Sequence, residues 1–330
     1  MKQSFNQQSN TPYAALSFRD LRGVLLPITT PFDAAGNVDL AGLRANIAKW
    51  NTTGISGYVL LGSTGERVNL DEREYLEIIE AARAEVEKRP EGLTFIAGAG
   101  QQSTRGTINE IKRVSEAVAV DAFLVITPHF YRPSITQQAL IAHYQRIADG
   151  SPVPVILYSM PALTGIRIEP ETAARLSEHE NIIGIKDSSA DLDGLRETIK
   201  LVSKNFAVLT GNGTVLGPAF SAGACGGILA VGCVAPEICL AIVRAVQSGE
   251  VATAAELQAK LTPLAEAVTI RFGIGGLKSA LEMKGYVGGT VRAPLVRPRD
   301  EAREEIRRCL ESAQEPTPQF EASHSQTGKV

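Results

Sequence analysis

Eight short apolar runs, each followed by a longer amphipathic stretch, constrain this chain more than any other feature. GVLLPITTP begins at Gly23, GYVLLG at Gly57, TFIAGAG at Thr94 and AFLVITP at Ala122. VPVILYSM follows from Val153, IIGIKDS from Ile182, FAVLTGN from Phe206 and GGILAVG from Gly226. A nearly continuous apolar run bounded by turn residues marks a parallel strand buried on both faces. Between them, LAGLRANIAKWNTT and DEREYLEIIEAARAEVEKR carry apolar residues at three-to-four spacing, the pattern of a helix with one buried face. In the second, Asp71 is placed to cap the helix, and Glu72 and Glu74 favour the positive end of its dipole. Further helices are expected at 104–119, 136–149, 170–178, 191–203 and 214–223. Eight strand–helix units predict a (β/α)8 TIM barrel. A doubly wound open sheet also alternates strand and helix, but the first strand lacks a GxGxxG turn and the even spacing favours closure.

The 330 residues divide accordingly. Residues 1–20, rich in Gln, Asn and Ser, and residues 314–330 read as mobile tails, the first placed to drape over the barrel base. The barrel is expected over 21–235, and 236–313, without a strand-like run, reads as an appended helical segment. A net charge of −3 leaves no basic excess for a nucleic-acid backbone. No apolar run approaches the about 20 residues that cross a bilayer, and the N-terminus has no signal-peptide core, so a cytoplasmic protein is expected. The cysteines Cys225, Cys233, Cys239 and Cys309 form no CxxC pair and have no nearby His, which argues against zinc. The first three read as buried small hydrophobes. No cluster of His, Asp and Glu suggests a metal, and no bound cofactor is expected.

A barrel carries its chemistry at the carboxyl ends of its strands. Lys186 follows the apolar run IIGI, where an ammonium is expensive unless paired or neutral. A neutral amine attacks a ketone to form a Schiff base; the bland alternative is a lysine paired with a carboxylate or lining a phosphate site. The other lysines sit in helices, tails or loops, where a solvated charge is the default. Tyr158 ends the adjacent strand, where a phenol can pass a proton, or simply rest as an amphipathic core tyrosine. Ser63 and Thr64 follow a glycine and can cradle a carboxylate with backbone N–H groups and hydroxyls; ordinary turn chemistry is the alternative. Glu66 is suited to fixing that turn. The glycines around Gly211, Gly213 and Gly226–Gly227 admit a phosphate site or close backbone approach to a small carboxylate. His129 is a proton carrier or a structural contact.

Taken in order, LLPITTPFD, LGSTGE, TPHFYRP, LYSMPALTG, GIKDSSAD and GLKSALEMKGYVGGTVRAPL resemble the dihydrodipicolinate synthase / N-acetylneuraminate lyase family of class I aldolases. The resemblance runs from about Gly23 to Pro294. It implies a homotetrameric barrel enzyme that binds pyruvate, or a 2-oxo acid yielding it, as a Schiff base, with an aldehyde as second substrate. Position by position, it implies that Lys186 is the Schiff-base lysine and Tyr158 the proton relay. Ser63 and Thr64 would hold the pyruvate carboxylate, Thr64 close to the proton path. Gly211 and Leu229 would line the pyruvate pocket, Leu229 through its backbone. Two positions depart from the synthase pattern. Leu163 stands where synthases carry an arginine for the aldehyde's carboxylate, and Phe130 where they carry a tyrosine lent by a neighbouring subunit. Tyr131 lies next door. LYSMPALTG and the RFGIGGLKSALEMKGYVGGTVRAPL stretch resemble 4-hydroxy-2-oxoglutarate aldolases more closely. Two rivals remain at this point: a barrel enzyme binding a phosphorylated substrate through the Gly213 and Gly226–Gly227 loops, and a keto-acid-binding protein without turnover.

Overall fold

The computed structural model describes residues 16–89 and 92–314; the tail segments 1–15 and 315–330 lie outside the described residues. Eight parallel strands, β1 (Gly23–Pro27), β2 (Gly57–Leu60), β3 (Thr94–Ala99), β4 (Ala122–Ile126), β5 (Val155–Ser159), β6 (Ile182–Asp187), β7 (Ala207–Thr210) and β8 (Gly226–Ile228), pair in sequence order. Leu25 sits opposite Ile228, so β8 returns to β1 and the sheet closes into a barrel. The helices over the barrel are α1 (Leu40–Trp50), α2 (Glu72–Val86), α3 (Thr104–Ala117), α4 (Gln137–Gly150), α5 (Pro161–Thr164), α6 (Pro170–Leu176), α7 (Leu192–Leu201) and α8 (Leu216–Ser221). Asp71 caps α2 in a reciprocal capping box with Glu74, as the sequence predicts. Residues 236–313 fold as α9 (Pro236–Gln247), α10 (Val251–Ala265), a π-helical turn (Glu266–Arg271), α11 (Gly273–Met283) and α12 (Asp300–Gln314). At the other end of the chain, Phe18–Leu21 form a 3-10 turn capped by Ser17, and Leu21 is buried in the base of the barrel.

The strands are apolar on both faces because each face has a different core to fill. Leu25, Val59, Ile96, Leu124 and Ile156 fill the barrel interior. Their neighbours Leu26, Tyr58, Phe95, Phe123 and Leu157 face the helices. This period of two holds until β6, where the register with β5 slips: Val155 pairs with Ile182, but the next residue, Ile156, pairs with Gly184. One extra residue in β6 reverses which face the rest of the strand presents. Ile185 therefore joins the helix-facing core, and Lys186 falls opposite the inward-facing Tyr158.

Gly98 is needed for the close approach of β3 to the end of β2. A Cβ there would lie 2.6 Å from the carbonyl carbon of Leu61. Gly98→Ala is expected to cost about 1–3 kcal/mol as an overpacking substitution. The check is the urea unfolding midpoint; an unchanged midpoint would show that the two strands separate freely here.

Candidate active site

A cavity of about 480 Å³ opens at the carboxyl ends of the strands, within the usual range for small-molecule sites. Ser63, Thr64, Tyr158, Lys186 and Gly211 all line it. The sequence reading thus brings five of its six chosen residues to one place. Leu229 does not line the cavity; it is fully buried, and its neighbours Ile228 and Ala230 face the cavity instead.

Lys186 is 5% exposed and Tyr158 4% exposed. The lysine Nζ lies 4.2 Å from the centre of the Tyr158 ring. Lys186 has no carboxylate partner among the described residues, although Asp187 follows it directly. The Asp187 carboxylate instead accepts from the Ser189 amide at 2.7 Å. The paired-lysine alternative is thereby set aside. Gly211 supplies the room this amine needs, since a Cβ at that position would fall 2.6 Å from Lys186 Cε.

Opposite the lysine, the chain leaves β2 through Leu61 in the left-handed region (φ 54°), makes a 3-10 turn over Ser63–Gly65, and re-enters the left-handed region at Glu66 (φ 54°). Left-handed leucine and glutamate are sterically costly and persist where surrounding contacts enforce them. The turn's own hydrogen bonds use the amides of Gly65 and Glu66. The amides of Ser63 and Thr64 stay at its open N-terminal end, free to donate to an anion. Ser63 Oγ is 3.4 Å from the Tyr158 hydroxyl, which makes Ser63, rather than Thr64, the hydroxyl nearest the phenol. His129 sits on the rim, 3.3 Å from the Thr127 carbonyl and within reach of Gln102.

Two expectations change. Gly213, Gly226 and Gly227 do not line the cavity; a Cβ on Gly213 would meet Val231 and one on Gly227 the Leu229 side chain, so these glycines serve tight packing. The phosphate-loop alternative has no open loop to use. Second, Lys278 is not solvated: it is fully buried in α11 and ion-paired with Glu66 at 2.5 Å. Burial pushes its ammonium below the ordinary lysine range, while the Glu66 carboxylate opposes that shift. Sequence reasoning also missed the contribution of the C-terminal segment. Val268, Thr269, Ile274 and Leu277 close one wall of the cavity. No periodicity signals this, because a wall residue and a core residue are equally apolar. Cys233 and Cys239 are fully buried, as expected, and burial raises both thiols; Cys225 is partly exposed.

A closed barrel with a cavity at its carboxyl end is a scaffold shared by many enzymes, and the known relatives make this one a lyase of the pyruvate-dependent class I aldolase type. The model of the dihydrodipicolinate synthetase family matches residues 20–313, and the chain belongs to that family. The 4-hydroxy-tetrahydrodipicolinate synthase of Methanothrix thermoacetophila is 35% identical over 290 residues, covering 88% of this chain and 96% of that protein. That of Moorella thermoacetica is 36% identical over 287 residues, covering 87% and 96%. Among solved structures, dihydrodipicolinate synthase from Bacillus anthracis superposes with a TM-score of 0.83 at 29% identity, covering 88% of this chain and 98% of that one. The Acinetobacter baumannii synthase, solved in complex with pyruvate, gives 0.82 at 29% identity, covering 89% and 99%. Among the described residues no helix is long and apolar enough to cross a membrane.

Proposed function

We propose that Lys186 forms an imine with pyruvate, or with a 2-oxo acid that yields it, and that the enzyme makes or breaks the carbon–carbon bond to an aldehyde. The observation that carries this is a buried, unpaired lysine beside a buried tyrosine, facing a turn with free amides. The 2-oxo acid's carboxylate rests on the Ser63 and Thr64 amides, which fixes its keto carbon against Nζ. Nζ attacks that carbon, water leaves, and a protonated imine forms. In the cleavage direction, the imine accepts the electron pair of the neighbouring carbon–carbon bond while the Tyr158 oxygen takes the hydroxyl proton of the departing aldehyde and passes its own proton to the Ser63 hydroxyl and on to solvent. The enamine left behind is protonated at carbon, and hydrolysis frees pyruvate and the lysine. In the synthetic direction the same enamine attacks an aldehyde.

The relatives' names support condensation of pyruvate with aspartate semialdehyde, the reaction of 4-hydroxy-tetrahydrodipicolinate synthase. The cavity mouth supports a second reading, cleavage of 4-hydroxy-2-oxoglutarate. Leu163, 62% exposed, stands where the synthase pattern has its arginine, and Phe130, 74% exposed, has no hydroxyl to lend. The exposed Arg132 lies against Gly165, two residues beyond Leu163, while Arg67, which lines the cavity with Leu163, is already paired with Glu110; Arg132 is the cation we assign to a carboxylate on the aldehyde fragment. Homotetramer assembly would cover the exposed Phe130 and Tyr131, which meet edge to face at 5.1 Å.

Comparing the two substrate pairs in one coupled assay decides between these readings. Activity confined to pyruvate with aspartate semialdehyde supports the first, and cleavage of 4-hydroxy-2-oxoglutarate alone supports the second. Leu163→Arg is expected to lower the KM for aspartate semialdehyde about tenfold, the scale of one added charge-assisted hydrogen bond. An unchanged KM would remove Leu163 from the account of specificity.

A further inference from the structure

The Glu66–Lys278 pair is the one buried ion pair among the described residues with both side chains at 1% exposure or less, and the chemistry above does not use it. It joins residues 212 positions apart. Glu66 is the last residue of the turn that presents Ser63 and Thr64, and Lys278 lies in the middle of α11. One Glu66 oxygen accepts from Lys278 Nζ at 2.5 Å, and the other from the Arg292 amide at 3.0 Å. Lys278 also donates to the Thr290 carbonyl at 2.6 Å and lies 4.4 Å from the centre of the Phe32 ring. On the other side of the turn, the Thr30 hydroxyl donates to the Gly65 carbonyl at 2.8 Å. Arg292 then straps the loop to α2 through Glu74, whose carboxyl it holds below the usual range, and to the Gly36 and Asn69 carbonyls.

Every one of these bonds ends on the Gly65–Glu66 end of the turn or on the segment that clamps it. Left-handed Glu66 would relax if released, and its relaxation rotates the peptides immediately before it. Those peptides carry the Gly65 and Glu66 amides, which donate to the Gly62 and Ser63 carbonyls and so hold the two peptides that bear the Ser63 and Thr64 amides. We propose that Glu66 and Lys278 are positioning residues: the buried pair ties the turn that seats the 2-oxo acid's carboxylate to the C-terminal segment, making that segment part of the reaction apparatus. This rests on the carboxylate seat proposed above. A purely structural pair would protect the fold and leave substrate binding in the surviving molecules untouched.

The test exploits an asymmetry of buried pairs. Removing one partner strands a buried charge, whereas replacing both by neutral residues of similar volume is often tolerated. The double variant Glu66→Gln with Lys278→Met is therefore expected to fold while its KM for pyruvate rises tenfold or more. Its kcat at saturating pyruvate should change less than threefold, and borohydride at saturating pyruvate should still add mass to Lys186. A folded double variant with a pyruvate KM within twofold of the parent overturns the proposal. Should the double variant fail to fold, Thr30→Val removes only the clamp on Gly65. A raised pyruvate KM at an unchanged unfolding midpoint supports positioning, and an unchanged KM overturns it. If the parent protein itself forms no borohydride adduct, the imine reading has failed instead, so the two failures are distinguishable.

Discussion

Lys186→Ala is expected to lower kcat by about 10⁴–10⁶-fold, the scale on which loss of a covalent nucleophile is felt. In the proposed mechanism the substitution removes the amine that bonds to the keto carbon, and among the described residues no other lysine lines the cavity. Lys278, the other fully or nearly fully buried lysine among the described residues, is held by Glu66 and the Thr290 carbonyl and does not line the cavity, so it cannot substitute. The fold should survive. Lys186 has no ion-pair partner to strand, and truncating it leaves only a small cavity against the Tyr158 ring. Steady-state kinetics with matched unfolding curves check this. Residual activity within a hundredfold of the parent, in a folded variant, would mean that another group carries the chemistry.

Tyr158→Phe carries the second large effect. The ring fills the same space at the top of the barrel interior, so packing and the pyruvate KM should stay close to the parent. What is lost is the hydroxyl that the proposed mechanism uses to move protons to and from the departing or arriving oxygen. The expected fall in kcat is about 10²–10⁴-fold, typical of a removed general acid–base group. The Ser63 hydroxyl, 3.4 Å from the phenol oxygen, stays in place but has lost its partner for the relay. Imine trapping should persist at saturating pyruvate, since attack by Nζ precedes the step the phenol serves. A variant that keeps its kcat but binds pyruvate poorly would instead make Tyr158 a binding residue.

The barrel was legible because its strands are buried on both faces and therefore stand out as apolar runs. Lys186 stood out for the same reason: a lysine ending such a run is expensive to bury unless it is paired or neutral. Its inward direction was not legible. Strict alternation from Ile182 points Lys186 toward the helices, and only the slipped register at Ile183 and Gly184 turns it inward. Thr64 and Ser63 were found by their position after a strand-ending glycine, but which hydroxyl approaches Tyr158 is a matter of rotamers. Lys278 was misread because it lies in a helix, where lysine is normally solvated. Its partner is remote in sequence, and an ion pair across that separation leaves no periodic trace. The cavity wall formed by Val268, Thr269, Ile274 and Leu277 was hidden likewise, because apolar residues facing a ligand and apolar residues facing a core look alike.

Borohydride reduction in the presence of pyruvate, followed by peptide mass mapping, tests the central claim most directly. The account predicts a single stable pyruvate-derived adduct on the peptide containing Lys186, absent from Lys186→Ala and retained in Tyr158→Phe. An adduct of equal yield in Lys186→Ala, or one mapped to a different lysine, would contradict it.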